Sequence, residues 1–240
     1  MKKIICIWLL SVWFLPLFAQ QLSTESAEAY YKSGNLKYDS GNAQGAMQDY
    51  NKAIELNSKH AEAYYNRGNL KSDLGDKQGA MQDYNKTIEL NSKHAEAYYN
   101  RGSLKSNLGD KQGAMQDYNK TIELIPKNER AYGNRGNLKS ALGDKQGVMQ
   151  DYNKVIELNP KDARIYYNRG NLKFNLGDRQ GAMQDYNKTI ELNPKNGNPH
   201  YNRGLLKEQL GDLKGACADW SKAGELGDMA AYDLIKQYCK

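Results

Sequence analysis

The chain repeats one 34-residue segment along nearly its whole length. Residues 61–94 read AEAYYNRGNLKSDLGDKQGAMQDYNKTIELNSKH, and residues 95–128 restate them with few changes. The frame also fits from Ala27, Glu129, Ala163 and Gly197, giving six copies: 27–60, 61–94, 95–128, 129–162, 163–196 and 197–230. A fixed period of this size means stacked supersecondary units, each burying its apolar face against its neighbours. That excludes one globular core and points to a function carried by a long ridged surface. The hydrophobic fraction of 39% is low for a globular chain and suits the thin core of a solenoid.

Within each copy the apolar residues fall at helical spacing. Ala61, Tyr64, Gly68, Leu70 and Leu74 mark a first helix, helix A. Ala80, Met81, Tyr84, Thr87 and Ile88 mark the inner face of a second, helix B, running from Lys77 to about Leu90. Gly75 suits the left-handed cap that ends helix A, and Asp76 suits the N-cap that starts helix B. Asn91-Ser92 ends helix B, as do Ile125-Pro126, Asn159-Pro160 and Asn193-Pro194 in later copies. No segment alternates as a strand does. Residues 231–240 carry Leu234, Ile235 and Tyr238 at helical spacing and read as a closing element over the last apolar face.

These residues resemble the tetratricopeptide repeat, whose pattern runs W-x2-L-G-x2-Y, then A-x3-F, then P. Tyr64 stands at the Trp, Gly68 at the Gly, Ala80 at the Ala, Tyr84 at the Phe and, in the third copy, Pro126 at the Pro. The match runs from Ala27 to about Ala230. The resemblance implies an all-α fold: an α-solenoid, a right-handed superhelix of helix pairs with a C-terminal capping helix. Helices A would line a concave groove and helices B the convex back.

Two columns depart from the family. Its Leu is Arg67, Arg101, Arg135, Arg169 and Arg203, with Ser33 in the first copy. Its Tyr is Lys37, Lys71, Lys105, Lys139, Lys173 and Lys207. Buried cations need partners, and each helix B offers one: Asp49, Asp83, Asp117, Asp151, Asp185 or Asp219. Arg67 is expected opposite Asp83, as an ion pair that fixes the register of the two helices.

The N-terminus reads as an address. Lys2-Lys3 precedes an apolar stretch, Ile4 to Phe18, and Ala19 closes it, which fits a signal peptide over residues 1–19. Residues 20–26 then form a short polar leader. Export to the periplasm or the exterior is expected, with no stable membrane insertion after cleavage, because the run falls short of the ~20 residues a spanning helix needs. Cys217 and Cys239 lie in the last copy and the cap, on adjoining helices, and in an exported chain they suggest a disulfide.

Several functions are excluded. The net charge is +6, but Lys and Arg alternate with Asp and Glu in every copy, so nucleic acid is not an expected partner. No Ser, Cys or carboxylate has a base partner visible in the sequence, so no catalytic residue is assigned. His60 and His94 sit at equivalent loop positions one copy apart, too far to share a metal ion, and His200 reads as packing. No metal or cofactor is expected. The sequons at Asn85, Asn119 and Asn187 fall inside helix B and also read as packing.

The expected binding surface is the helix A column set. Asn66, Asn100, Asn134, Asn168 and Asn202 recur once per copy, and Asn35, Asn69, Asn137 and Asn171 recur one turn later on the same helix. An Asn amide carries donor and acceptor together, so a ladder of them can hold an extended main chain. The ladder is similar to that of O-linked N-acetylglucosamine transferases, although Asn is common at these positions across the family. Tyr65, Tyr99 and Tyr167 flank it. They either wall the groove or pack between helices A. Glu62 and Glu96 give way to Arg130 and Arg164 in one column, and the Tyr column breaks at Gly133, leaving room for a bulky ligand side chain. The function these readings imply is a scaffold for an extended peptide or protein segment. Two alternatives are a cell-envelope glycan binder using the Tyr columns and a non-catalytic docking subunit of an envelope enzyme.

Overall fold

A computed structural model describes residues 5–239, apart from the side chains of residues 5–20 and 22. The signal-peptide assignment therefore falls outside the described residues at 1–4 and outside the described side chains at 5–19. The described residues form thirteen helices and no strand. The chain divides after Ile125 into two compact units.

The first unit contains three helix pairs: α1 (Ile5–Asp39) with α2 (Ala43–Leu56), α3 (Ala61–Asp73) with α4 (Lys77–Leu90), and α5 (Ala95–Asn107) with α6 (Lys111–Leu124). The second contains α7 (Glu129–Ala141) with α8 (Lys145–Leu158), α9 (Ala163–Asn175) with α10 (Arg179–Leu192), α11 (Asn198–Gln209) with α12 (Leu213–Glu225), and the closing helix α13 (Ala230–Tyr238). Residues 20–26 lie within α1, which continues into the first helix A. Among the described residues no helix is long and apolar enough to cross a membrane.

The sequence punctuation sets these boundaries. Gly75 adopts φ +85°, the left-handed conformation that closes α3 at little cost in glycine. The Asp76 side chain then accepts from Gly79 N at 2.8 Å and caps α4. Gly68 lets the paired helices meet, since a Cβ there would lie 2.9 Å from the Tyr84 ring. Ala80, Tyr84 and Leu104 cluster as core in the first unit, as do Ala182, Tyr186 and Leu206 in the second.

The substituted columns form buried ion triads. Arg67 grips Asp83 with two bonds, Nε to Oδ2 at 2.9 Å and Nη2 to Oδ1 at 2.6 Å. Lys71 Nζ reaches the same carboxylate at 2.8 Å. Arg101–Asp117–Lys105, Arg135–Asp151–Lys139, Arg169–Asp185–Lys173 and Arg203–Asp219–Lys207 repeat the arrangement. The Arg–Asp pairing agrees with the sequence expectation; the shared Lys adds to it. Within each unit a guanidinium also ties one copy to the next: Arg67 Nη1 donates to Asn51 of the preceding helix B at 2.8 Å, and Arg101, Arg169 and Arg203 do the same with Asn85, Asn153 and Asn187. In the first copy Ser33 and Lys37 hold Asp49 instead. Burial alone would raise the Asp49 carboxyl, but these hydrogen bonds outweigh it and hold the group below the usual range.

The chain ends in a stapled cap. Cys217 and Cys239 are joined by a disulfide with Cα atoms 5.7 Å apart, inside the range such a bond spans. Trp220 is fully buried in the cluster closed by α13.

Candidate functional site

The Asn columns are joined into clamps between consecutive copies. Asn66 Nδ2 donates to Asn35 Oδ1 at 2.8 Å and to the Tyr31 hydroxyl at 3.2 Å, while Tyr50 donates to the same Asn35 oxygen at 2.9 Å. Asn100 does the same with Asn69 and Tyr65, and Tyr84 completes that set. In the second unit Asn202 joins Asn171 and Tyr167, with Tyr186 as the fourth member. Asn134 also has an interaction partner.

A clamp uses half of each amide. Both lone pairs of Asn35 Oδ1 and both hydrogens of Asn66 Nδ2 are taken. The Asn35 N–H groups and the Asn66 carbonyl stay available, so each clamp offers a donor and an acceptor side by side.

Tyr31, Tyr65 and Tyr167 belong to these clamps. The Tyr65 ring packs on His94 with centroids 4.5 Å apart, and Tyr31 packs on His60 at 4.8 Å. Tyr99 is buried against Tyr118, and Tyr167 leans on Tyr186. These rings pack between helices, and Tyr65 and Tyr167 stay part-exposed. His60 and His94 are helix N-caps, accepting from Ala63 N at 3.3 Å and Ala97 N at 3.2 Å. Their other nitrogens meet Glu28 at 3.3 Å and Glu62 at 3.2 Å, so two acidic residues of the Glu62–Glu96 column are occupied by histidines. Glu96 lies 3.6 Å from His94 Nδ1. In the second unit Arg164 pairs with its own N-cap, Asp162, at 2.9 Å and is 87% exposed; Arg130 is exposed and engaged. Among the described residues no cluster of side chains fits a metal ion.

Among the described residues, hollows open between consecutive helices A in each unit. The first, about 290 Å³, is lined by Asn35, Tyr38, Asp39, Tyr50, Asn66 and Asn69 of α1, α2 and α3. It is acidic. Asp39 is exposed in it, and the Tyr38 hydroxyl donates to Asp73. That bond, helped by burial, pushes the Tyr38 phenol up to about 12, so it stays protonated. Burial pushes Tyr50 up to about 12 as well, keeping it a donor to Asn35. The second hollow, about 250 Å³, is lined by Asn137, Ser140, Val148, Tyr152, Asn168, Asn171, Leu172 and Asn175 of α7, α8 and α9, and carries no charge.

The second hollow is where a clamp is open. Gly133 replaces the Tyr that would pair with Asn168, and among the described residues the Asn168 amide makes no hydrogen bond. The room expected at Gly133 for a ligand side chain is partly closed from within. A Cβ there would meet Ile165 at 3.8 Å and Val155 at 3.9 Å, and these form a core cluster with Val148 and Tyr152. The first unit carries Ala46, Ala53 and Ala63 at the matching positions. Sequence reading missed this compensation, although Val148, Val155 and Ile165 depart from their columns around the same break at Gly133 and so carried the signal.

Comparison with known proteins agrees with this architecture. Family profiles described as tetratricopeptide repeat match residues 61–94, 95–128 and 163–196, with related profiles at 34–75 and 129–162. Among solved structures, MamA is similar at 26% identity and TM-score 0.64, covering 71% of this chain and 93% of its own. A tetratricopeptide repeat protein from Parabacteroides merdae has 27% identity and TM-score 0.58, covering 89% and 84%. YrrB, described as having an unusual peptide-binding site, has 24% identity and TM-score 0.69, covering 78% and 97%. No curated protein matches by sequence.

Proposed function

Because this chain belongs to the tetratricopeptide repeat family, we propose that it is a non-enzymatic interaction scaffold that receives an extended peptide or protein segment across its helices A. The observation that carries this reading is the half-used clamp. Each one presents an N–H pair beside a carbonyl, which matches the C=O and N–H of an extended main chain. Asp39 and Asp73 at the first hollow favour a basic residue of the segment there. YrrB's peptide-binding site is in keeping with this use of the fold. The rings of Tyr31, Tyr65, Tyr99 and Tyr167 pack on neighbouring aromatic rings, which favours the peptide reading over the glycan alternative.

The test separates ligand contact from clamp integrity. Asn35→Asp and Asn69→Asp keep the oxygens that accept within the clamps and remove the outward N–H groups. Decapeptides selected from a random library by the chain should bind the double variant at least tenfold more weakly, with the melting temperature little changed. Unchanged affinity would exclude the Asn columns as the contact.

We also infer that the chain is exported. Lys2-Lys3, the apolar run and Ala19 support this, and a Cys217–Cys239 bond suits an oxidising compartment. Mass spectrometry of protein from the producing cells should find Gln20 as the first residue. Retention of Met1 or Lys2 would overturn the inference.

A further inference from the structure

We propose that the second hollow is a side-chain subsite that takes one uncharged carboxamide, a Gln or Asn of the bound segment, through Asn168. This rests on the peptide-scaffold reading and adds a sequence preference to it.

The argument is one of hydrogen-bond inventory. Tyr152 donates to Asn137 Oδ1 at 2.7 Å, which leaves the Asn137 N–H groups and one lone pair. Tyr186 and Asn202 take both lone pairs of Asn171 Oδ1, which leaves its N–H groups. Asn168 has its whole amide available, because Gly133 supplies no hydroxyl to hold it. With Asn175 and the Ser140 hydroxyl, which also line it, the hollow offers donors from four amides and acceptors beside them.

A carboxylate would satisfy the donors but bring no hydrogen for Asn168 Oδ1. It would also leave water for a lining with no cation. An ammonium would bring no acceptor for the N–H groups. An aliphatic side chain would leave the polar lining unpaired. A carboxamide presents an acceptor and two donors in one plane and satisfies both sides. The volume of about 250 Å³ lies below the range of pockets that enclose whole ligands, about 300–1,000 Å³, and suits a single side chain. The first hollow differs on both counts: Tyr31 and Asn35 hold its Asn66, and it carries Asp39.

The experiment uses the full chain without residues 1–19, labelled with nitrogen-15, and four blocked heptapeptides, Ac-AAAXAAA-amide with X as Gln, Glu, Lys or Ala. The side-chain amide signals of Asn137, Asn168 and Asn171 are followed during titration. The Gln peptide should shift these signals and bind at least fivefold tighter than the other three. Asn168→Ala should remove that preference. So should Gly133→Tyr combined with Ile165→Ala, which rebuilds the clamp and occupies Asn168. Equal affinity for all four peptides, with shifts along helices A, would overturn the subsite and leave the scaffold reading standing. A Gln preference that survives Asn168→Ala would also overturn it. No shift on any helix A with any peptide would count against both. Stronger shifts with diacetylchitobiose than with the Gln peptide would assign the hollow to a glycan and overturn the proposal.

Discussion

The hollow of the first unit and the hollow of the second are the same construction with different contents. Asn35, Asn66, Asn69 and Tyr50 occupy in one the places that Asn137, Asn168, Asn171 and Tyr152 occupy in the other. Around them the residues diverge: Tyr31 against Gly133, Tyr38 and Asp39 against Ser140 and Ala141, Asp73 against Asn175. The frame survives this divergence because something else holds it. Triads such as Arg67–Asp83–Lys71 and Arg169–Asp185–Lys173 have nearly the same geometry in both units. Loss of the Gly133 side chain was absorbed by larger neighbours, Val148, Val155 and Ile165, in place of alanines. The face of helices A is thus free to vary while the helix pairs stay in register.

The largest effects should come from the part the units share. Arg67→Leu and Arg169→Leu each leave a buried Asp with only its Lys, and each should cost about 3–5 kcal/mol. Thermal and denaturant unfolding should give the two variants similar losses. A large difference would mean that the triads are not equivalent and would break the comparison at its base.

The next effect isolates the compensation. Ile165→Ala alone should cost about 2–4 kcal/mol through the cavity it leaves. Gly133→Tyr alone overpacks against Ile165 and Val155 and should cost about 1–3 kcal/mol. Together they recreate the residue pair of the first unit, Tyr31 with Ala63, so the double variant should be more stable than the sum of the single losses. Additive losses would show that the two positions do not exchange volume.

These pairs also show what the sequence could reveal. Helix pairing was legible because a strict 34-residue period repeats every boundary signal, and the Arg–Asp pairing because a buried cation must find a carboxylate. The capping role of His60 and His94 was hidden by residue type. The same column continues with Asn128 and Asp162, which are ordinary N-cap residues and would have identified it. The clamps were less legible. They join residues 31 and 35 apart in sequence, from Asn66 to Asn35 and Tyr31, and such contacts depend on how one copy stacks on the next. Spacing within a copy says nothing of that stacking.

The N-cap column gives a smaller, sharper contrast. His94 caps α5 in the first unit as Asn128 caps α7 in the second. His94→Asn should therefore be nearly neutral, and His94→Ala should cost about 1 kcal/mol. Calorimetry on the two variants decides it. A large loss from the Asn variant would show that stacking on Tyr65 and the contact with Glu62 outweigh the cap.

The smallest effect concerns pH and the last copy. His200 is buried, with Nδ1 3.5 Å from Asp219 Oδ1 and no hydrogen bond. Burial, joined by the Arg203 charge, pushes its imidazole below the usual value; the pull of Asp219 acts the other way and is outweighed. A base lowered on folding contributes stability above its unfolded pKa, about 6.5, and loses it as pH falls through the folded value. Asp219 acts in the same direction at lower pH. Burial would raise it, yet hydrogen bonds from Arg203 and Lys207 hold it below the carboxylate range, so its contribution disappears only in stronger acid. His200→Tyr restores the residue found in this column at Tyr64, Tyr98, Tyr132 and Tyr166 and removes the first step while keeping the second. The melting-temperature difference between the parent chain and this variant should therefore shift against the parent as pH falls from 7 to 5. A difference that stays constant over that interval would place the pH response outside the last copy.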